Sequence, residues 1–504
     1  MRVLIPTLYC KYTPHFETEL EIIQSHLDKG DEVTVLGCDF SFPSCDLNVL
    51  HKKKICFRCV GRRKTGMKTI EPSVEIKPIF NLSRKDKEDI REIQKKFHQD
   101  MDLKELNFGE FDIGYGVLSS LISSRRDPMP DLKDEKISKI SRNLLVAAAS
   151  TYLSMKNYLS EQEYDRVYVF NGRFAIMRAI LRACQYSNVD CYCHERGSTL
   201  EKYALFKNRL PHDRELFRKN MIQAWDGADE EERVSVGSEF FIERRGGIEQ
   251  NWFSFTKDQK QGHLPYNWDE SKRNIVIFNH SEDEKAAIGK QWENPIYPTQ
   301  NSGIKNIVSE FSGDSDWHFY LRVHPNLKGV DNAQMREIAS LNISNLTVIP
   351  ADNPISSYAL LDVAEKAVVF ASTMGIEATY WGVPSILLGR AYYGGMDAVY
   401  EPESHAEGIE MIRAHLDPKQ KIGALKYGYY KKTFGKKFKY YKARGLFEGE
   451  FKGHVIKVDP LYQHIADFYN IPREWKRKLN TEAWRAGSYM KRLVLKSIDT
   501  DKKT

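Results

Sequence analysis

Short apolar runs alternate with amphipathic segments through the first half of the chain. The runs have the length of β-strands and cover residues 2–8, 32–37, 111–118, 166–171 and 190–194. Between them, apolar residues recur at helical spacing in residues 16–27, 84–99, 134–159 and 174–186. Strands that alternate with helices are typical of a parallel sheet covered on both faces. The first half is therefore predicted to be an α/β domain.

A second series of the same kind begins near residue 274. Its predicted strands cover residues 274–279, 317–323, 346–349, 366–371 and 385–389, and its predicted helices cover 304–311, 355–361 and 375–381. Residues 200–270 are rich in charge and glycine, and we interpret them as helical segments and a linker. The pattern predicts two Rossmann-like domains at 1–255 and 256–420, followed by a basic-aromatic helical extension at 421–504. Ligands are expected at the carboxyl ends of the strands, in the cleft between the domains.

The composition fits a globular protein of this kind. The 504 residues are 41% hydrophobic and 29% charged, which excludes a disordered or collagen-like chain. The net charge of +6 is a small excess of 75 basic over 69 acidic residues, and it does not indicate nucleic acid binding. No apolar run approaches the roughly 18–20 residues that span a bilayer. The N-terminal run reads as a strand rather than a signal peptide, so we expect a cytoplasmic protein with mostly reduced cysteines.

Basic and aromatic residues are interleaved after residue 421. Residues 426–444 carry the densest part of this pattern, and residues 475–478 and 491–496 add positive charge. The simplest interpretation is a helical region whose aromatic side chains pack onto the body of the protein. A functional alternative is contact with an anionic membrane, at the inner face of the plasma membrane. Nucleic acid is not expected as a partner.

The end of the predicted strand 366–371 has the features of a phosphate site. It runs through a turn of small residues into a helix, whose free N–H groups and dipole favour an anion. Ser372 and Thr373 can cap that helix and donate to phosphate oxygens. Gly375 would allow a close approach of the backbone to the ligand, and Glu377 would accept hydrogen bonds from sugar hydroxyls.

Two other strand ends are expected at the same edge of the sheet. The strand 317–323 ends in Arg322 and His324, which can supply positive charge to a phosphate leaving group. Asn279 and His280 follow the strand 274–279 and are predicted to face the ligand. The alternative is an ordinary strand–turn–helix with a capping serine and a surface arginine.

These residues form a motif, R-x-H-P followed by S-T-x-G-x-E-A-x-x-x-G-x-P. It resembles the nucleotide-binding half of GT-B glycosyltransferases, most closely the bacterial capsule and surface polysaccharide group, which includes transferases of the acidic sugar Kdo. The resemblance covers about residues 270–400. It implies a nucleotide-sugar donor bound in the second domain by Arg322, His324, Ser372, Thr373 and Glu377. Many retaining members carry a second glutamate eight residues on, but here that position is Ser385, which leaves the stereochemical outcome open.

By the same resemblance, the first domain supplies acceptor contacts and the catalytic base. His15, Glu17 and Glu19 lie near the start of its first helix, where one of them could deprotonate an acceptor hydroxyl. The alternative is an acidic pair favoured by the helix dipole. The acceptor side of the cleft is predicted to include four polar residues that follow strands, Asn171, Arg173, Glu195 and Arg196.

Four of the eight cysteines lie within 22 residues, at Cys38, Cys45, Cys56 and Cys59. Four thiolates could hold a structural zinc ion, although the spacing between Cys38 and Cys45 is wider than usual for a ligand pair. A disulfide or free thiols are the alternatives. No cofactor is needed for the predicted catalysis.

Together these features predict a glycosyltransferase that moves a sugar from a nucleotide-activated donor to a surface polysaccharide or a lipid-linked glycan. One alternative is a nucleotide-sugar epimerase of the same architecture, which would need no acceptor. The other is a non-catalytic subunit of a polysaccharide assembly complex.

Overall fold

The computed structural model describes residues 1–469, which contain a mixed sheet, a parallel sheet and a hairpin. The strands are β1 (Arg2–Thr7), β2 (Glu32–Gly37), β3 (Ile76–Pro78), β4 (Arg166–Phe170), β5 (Asp190–Arg196), β6 (Lys202–Lys207), β7 (Arg273–Phe278), β8 (Trp317–Arg322), β9 (Leu346–Ile349), β10 (Lys366–Val369), β11 (Ser385–Leu387), β12 (Lys436–Lys437), β13 (Tyr441–Gly445) and β14 (Glu448–Phe451). The predicted α/β class is confirmed.

The helices lie mostly between the strands. They are α1 (His15–Leu27), α2 (Lys53–Met67), α3 (Arg84–Lys96), α4 (Ile113–Arg125), α5 (Glu135–Glu161), α6 (Ala175–Tyr186), α7 (Arg214–Asp226), α8 (Glu230–Arg245), α9 (Gln300–Ser309), α10 (Ala333–Ala339), α11 (Ser357–Val363), α12 (Met374–Trp381), α13 (His405–Arg413), α14 (Ile422–Thr433) and α15 (Pro460–Phe468). In the part of the chain described, no helix is both long and apolar enough to cross a membrane.

Both sheets have the topology expected of Rossmann-like domains. The first has the order β12-β6-β5-β4-β1-β2-β3, in which β1 to β5 run parallel, β6 is antiparallel to β5, and β12 is antiparallel to β6. The second has the order β11-β10-β7-β8-β9 and is parallel throughout. The central strands are apolar on both faces because helices cover both sides. This burial explains why these strands were predictable as continuous apolar runs.

One predicted strand is wrong. Residues 111–118 belong largely to the helix α4, which is buried along most of its length. A helix buried on nearly all sides lacks a polar face, so its apolar run has no helical period in the sequence. The sequence interpretation also missed β6, and it missed α2 within the cysteine-bearing segment.

Helices α7 and α8 pack with the second sheet, although they precede the predicted boundary at residue 255. Their buried Phe217 and Phe241 share a hydrophobic cluster with Val276 of β7 and Tyr427 of α14. The second core therefore includes residues from both sides of the predicted linker. This placement brings the end of α8 to the edge of the second sheet.

The region after residue 421 is only partly helical within the described residues. Helices α14 and α15 confirm the helical part, but β12 extends the first sheet and β13 pairs with β14 in a hairpin. Tyr427 and Tyr430 of α14 are buried, so these aromatic side chains pack onto the body of the protein. Contact with a membrane remains a prediction. The basic residues at 475–478 and 491–496 lie outside the described residues.

Candidate functional site

Loops from the carboxyl ends of the two sheets meet along the segment 279–293. Arg173, which follows β4, donates from Nη1 to the carbonyl oxygen of Glu284 at 2.8 Å. The indole N–H of Trp292 donates to the carbonyl oxygen of His212 at 2.8 Å. A cavity lined by residues of both domains, among them Lys104 and Lys285, lies at this contact and corresponds to the predicted interdomain cleft.

A cavity of about 260 Å³ lies at the strand ends of the second sheet. Its walls come from the end of α8 and the loop that follows, and from the loops after β7, β8 and β10. The polar residues among its lining are Arg244, Gln250, Asn251, Ser254, Thr256, His280, Glu284, Lys285, His324, Ser372 and Thr373. Ligands of α/β folds bind at this edge of a parallel sheet.

Arg244, the penultimate residue of α8, is the first cation of the cavity. Its Nε donates to Oε1 of Glu377 at 3.0 Å, and its Nη2 donates to the hydroxyl of Thr373 at 3.2 Å. Glu377 is fully buried, and its other oxygen accepts from the hydroxyl of Tyr358. Burial alone would lower the pKa of Arg244, but the charge of Glu377 raises it above its usual range. Arg244 is therefore a fixed positive charge with about a third (34%) of its side chain exposed.

Lys285 supplies the second cation. Its ammonium group donates to the carbonyl oxygen of Ala371 at 3.1 Å and lies 4.7 Å from the ring centre of Trp292. Burial lowers the pKa of Lys285 to about 8, so the side chain is mainly protonated at neutral pH. An ammonium group has three donors, so those not directed at Ala371 can serve a ligand.

His324 offers a neutral donor in the same cavity. Its Nδ1 accepts from the backbone N–H of Asn326 at 3.1 Å, which places the ring proton on Nε2. Burial and the charge of Arg244 lower the pKa of His324 to about 4, so the ring is neutral at pH 7. The cavity also contains an acid, Glu284, whose pKa is raised by burial. Even so, the two fixed cations and the polar N–H and O–H groups around them favour an anionic ligand.

Four of the predicted donor-site residues lie at this cavity, namely His280, His324, Ser372 and Thr373. The hydroxyl of Ser372 accepts from the N–H of Met374 at 3.3 Å, whereas Thr373 makes no side-chain cap. Nδ1 of His280 is buried and has no hydrogen-bond partner among residues 1–469. These positions agree with the prediction, although the roles of the residues remain proposals.

The other four predicted donor-site residues have structural contacts instead. Arg322 is 2% exposed and donates to the carbonyl oxygens of Pro350 at 2.5 Å and Asn353 at 3.0 Å, so it is held against the loop after β9. Asn279 accepts from the backbone N–H of His324 at 2.7 Å and links the ends of β7 and β8.

Gly375 and Glu377 serve packing and charge balance rather than ligand contact. A Cβ atom at Gly375 would lie 2.5 Å from the hydroxyl oxygen of Tyr393 and 2.6 Å from a methyl of Val369. The glycine therefore allows α12 to pack on the sheet. Glu377 has no exposed surface and acts through Arg244, so it cannot contact a sugar hydroxyl in this arrangement.

The predicted bases at the start of α1 are buried. Glu17 is 1% exposed and forms an ion pair with Arg62. Glu19 is also 1% exposed, and neither of its carboxylate oxygens has a hydrogen-bond partner within the described part of the chain. Burial raises the pKa of Glu19 well above its usual value. Neither carboxylate can reach an acceptor hydroxyl in the cleft.

The acceptor-side residues do come together at the ends of β4 and β5. Asn171 donates from Nδ2 to Oε2 of Glu195 at 2.7 Å, and the backbone N–H of Arg196 donates to Oε1 at 3.0 Å. Nδ1 of His15 lies 3.9 Å from Oε1 of Glu195, but burial lowers the pKa of His15 to about 3. Glu195 keeps 24% of its side chain exposed, and Arg173 interacts electrostatically with both Glu195 and Glu284.

The four cysteines of the predicted zinc site are partly buried in the first domain. Cys38, Cys45, Cys56 and Cys59 are free thiols, and burial raises the pKa of the first three. Within residues 1–469, no group of three or more His, Cys, Asp or Glu side chains could hold a metal ion. No disulfide joins any of these four cysteines, and a zinc ion at this cluster remains a prediction.

Sequence reasoning missed Arg244, Lys285 and Tyr358. Arg244 lies in a segment interpreted as a linker, and Lys285 follows a strand by seven residues within an acidic run. One signal was available, because a glutamate buried at the start of a helix needs a positive partner. That requirement does not identify which arginine supplies the charge.

No protein-family model matches the chain, and no curated protein matches it in sequence at a significant level. Among solved structures, the chain is similar to the β-Kdo 2,4 transferase KpsC of Thermosulfurimonas dismutans, with 12% identity, a TM-score of 0.37, and coverage of 53% of this chain and 79% of that one. It is also similar to a UDP-GlcNAc 2-epimerase of Methanocaldococcus jannaschii, with 11% identity, a TM-score of 0.24, and coverage of 85% and 98%. At such TM-scores these likenesses carry no argument about activity, which rests on the residues of the site.

Proposed function

We propose that this chain is a glycosyltransferase that uses a nucleotide-activated sugar as donor. The observation that carries the proposal is the cavity with two cations, Arg244 and Lys285, at the carboxyl ends of β7, β8 and β10. Fixed cations and N–H donors at this edge of a parallel sheet suit a phosphate group. The acceptor is a glycan of a surface polysaccharide or its lipid-linked precursor, as the motif resemblance implies.

In the proposed reaction, the bond between the anomeric carbon and the phosphate oxygen of the donor breaks. The phosphate oxygen keeps the electron pair, and Arg244, Lys285 and the Nε2–H of His324 stabilise its negative charge. The acceptor hydroxyl oxygen forms the new bond to the anomeric carbon. Its proton passes to Glu195, which replaces Glu17 and Glu19 as the proposed base because it is partly exposed and interacts with Arg173, which contacts the second domain at Glu284. Since the side chains provide the positive charge, the reaction as proposed needs no metal ion.

A nucleotide screen tests the proposal most directly. Thermal unfolding is measured with cytidine, uridine and guanosine mono- and diphosphates, and a ligand at 100 times its dissociation constant stabilises by about 2.7 kcal/mol. Arg244→Ala should abolish the stabilisation. Arg245→Ala is the matched control, because its side chain is equally exposed (34%) and paired with Asp362 but lies outside the cavity.

Three outcomes would contradict the proposal or redirect it. If no nucleotide stabilises the protein at millimolar concentration, the phosphate site is not a nucleotide site. If nucleotides stabilise Arg244→Ala as much as Arg245→Ala, Arg244 is not a ligand contact. If nucleotide sugars isomerise without any acceptor, the chain is an epimerase and the role of Glu195 as acceptor base is excluded.

A further inference from the structure

Three large aromatic side chains lie exposed at the lip of the cavity. Trp252 is 47% exposed, Phe253 is 45% exposed and Phe447 is 47% exposed. Trp252 and Phe253 belong to the loop after α8 and line the cavity, whereas Phe447 lies at the turn between β13 and β14. Their ring centres are 5.4 to 6.0 Å apart. Exposed apolar clusters of this kind mark interaction sites, and we call these three residues the aromatic lip.

Contacts with Arg196 and Asn251 hold the rings of the lip in position. The guanidinium of Arg196 lies 5.6 Å from the ring centre of Trp252 and 5.1 Å from that of Phe447. Arg196 also donates to the carbonyl oxygen of Leu446 at 2.6 Å, which fixes the hairpin turn. Asn251 donates to the carbonyl oxygen of Gly197 at 2.8 Å, which fixes the loop that carries Trp252. A site that is fixed in advance loses little conformational entropy when it binds.

We propose that the aromatic lip binds the pyranose rings of a glycan, so that the acceptor chain of the proposed transferase lies across it. This inference rests on the proposed function, because it names the acceptor subsite of the same cleft. The C–H faces of pyranose rings pack on aromatic faces, and the polar handle of an indole can bond to a sugar hydroxyl. A chain bound on the lip would end at the cavity, since Trp252 and Phe253 belong to both.

The geometry of the rings favours a sugar over a nucleobase. A planar base stacks best between two parallel rings. In the lip, the interplanar angles are 67° between Trp252 and Phe253, 79° between Trp252 and Phe447, and 44° between Phe253 and Phe447. No two of these three rings are parallel, so they form no slot for a planar base. Successive sugars of a chain present faces at different angles, which suits three tilted rings.

Binding of defined oligosaccharides tests the inference. The probes are maltohexaose, chitohexaose and hexagalacturonate, titrated into the full-length protein by calorimetry with saturation-transfer NMR to map the contact. At least one probe should bind, and Trp252→Ala and Phe447→Ala should each weaken it about tenfold, or ~1.4 kcal/mol. Tyr266→Ala is the matched control, because Tyr266 is fully exposed and lies outside the lip. Trp252→Leu keeps an apolar side chain without the ring and should bind as weakly as Trp252→Ala.

The same variants separate this inference from the proposed function. Nucleotide stabilisation should be unchanged in Phe447→Ala, because Phe447 belongs to the lip but lies outside the cavity. If no hexasaccharide binds at millimolar concentration, or if the lip variants bind as the parent does, the inference is overturned while the nucleotide result stands. If Phe447→Ala loses nucleotide binding, the lip is a base-stacking surface and the inference is again overturned. If glycans bind and no nucleotide does, the proposed function fails and the lip remains a glycan site.

Discussion

Replacing Glu377 with glutamine removes the charge that holds Arg244 at the cavity. The side chain keeps its size, so the packing of α12 is preserved, but the guanidinium loses its partner carboxylate at 3.0 Å. Removing one member of a fully buried ion pair costs about 3–5 kcal/mol. Arg244 is 34% exposed, and water screens part of this loss. The expected decrease in the free energy of unfolding is therefore about 2 kcal/mol.

Two measurements separate the stability of the fold from the function of the site. For a cooperative unit of 150–250 residues, a loss of about 2 kcal/mol lowers the melting temperature by roughly 4–8 °C. Nucleotide affinity, measured by calorimetry well below that temperature, should fall about tenfold, since Arg244 is no longer directed at the phosphate. The two effects have one cause but are measured independently.

Glu365→Gln is the matched control. Glu365 is also a partly buried carboxylate, and it pairs with Arg273 and Lys366 at the opposite, amino-terminal end of the second sheet. Its replacement should lower the melting temperature without changing nucleotide affinity. If Glu377→Gln binds nucleotide as the parent protein does, or if Glu365→Gln weakens binding equally, the reasoning that links Glu377 to the ligand through Arg244 is refuted.

Three further predictions concern the charges of the cleft. Nucleotide affinity should decrease as the pH rises through about 8, because Lys285 then loses its proton, and Lys285→Arg should bind equally well at pH 7 and 9. A pH-independent affinity in the parent protein would exclude Lys285 from the site. Glu195→Gln should lower turnover at least a hundredfold with unchanged nucleotide affinity, whereas Glu17→Gln should mainly lower the melting temperature. If Glu195→Gln turns over as fast as the parent protein, Glu195 is not the base. Arg322→Lys should lower the melting temperature by several degrees and leave nucleotide affinity unchanged, and weaker binding would return Arg322 to the phosphate site.

The order of strands and helices was largely predictable because parallel strands are apolar on both faces. The strand predicted at residues 32–37 has the same bounds in the structure. The helix α4 was not predictable in this way. It is packed closely on most sides, so its sequence is an apolar run with two glycines and lacks the amphipathic pattern of a surface helix. A Cβ atom at Gly116 would lie 3.1 Å from the Cα of Ala175, and one at Gly114 would lie 1.6 Å from the carbonyl oxygen of Leu103. The two glycines allow α4 to lie close to neighbouring backbone. In the sequence alone, however, glycines in a closely packed helix look the same as glycines in a turn.

The position of the site was predictable, but the side chains that form it were only partly so. Parallel topology places the ends of β7, β8 and β10 at one edge, so His324 and Thr373 had to lie near each other. The direction of a side chain at a strand end depends on its tertiary partners. Arg322 donates to backbone carbonyls of the loop after β9. His324, only two residues later in the sequence, lines the cavity. Charge and spacing alone do not distinguish these two environments.

The buried carboxylate of Glu377 is compensated by a residue of α8, a helix that belongs to the second core. A carboxylate without exposed surface requires a positive partner, and that partner, Arg244, lies at the end of a helix that precedes the second sheet in the chain. The helix reaches this position through a close crossing with α14, where a Cβ atom at Gly428 would lie 2.3 Å from the carbonyl oxygen of Gly237. The position of Arg244, the proposed phosphate contact, thus depends on the packing of α8 against α14, two helices far apart in the sequence. A motif confined to strand ends identifies the edge of the sheet, while the cation that completes the site is placed by the crossing of α8 and α14.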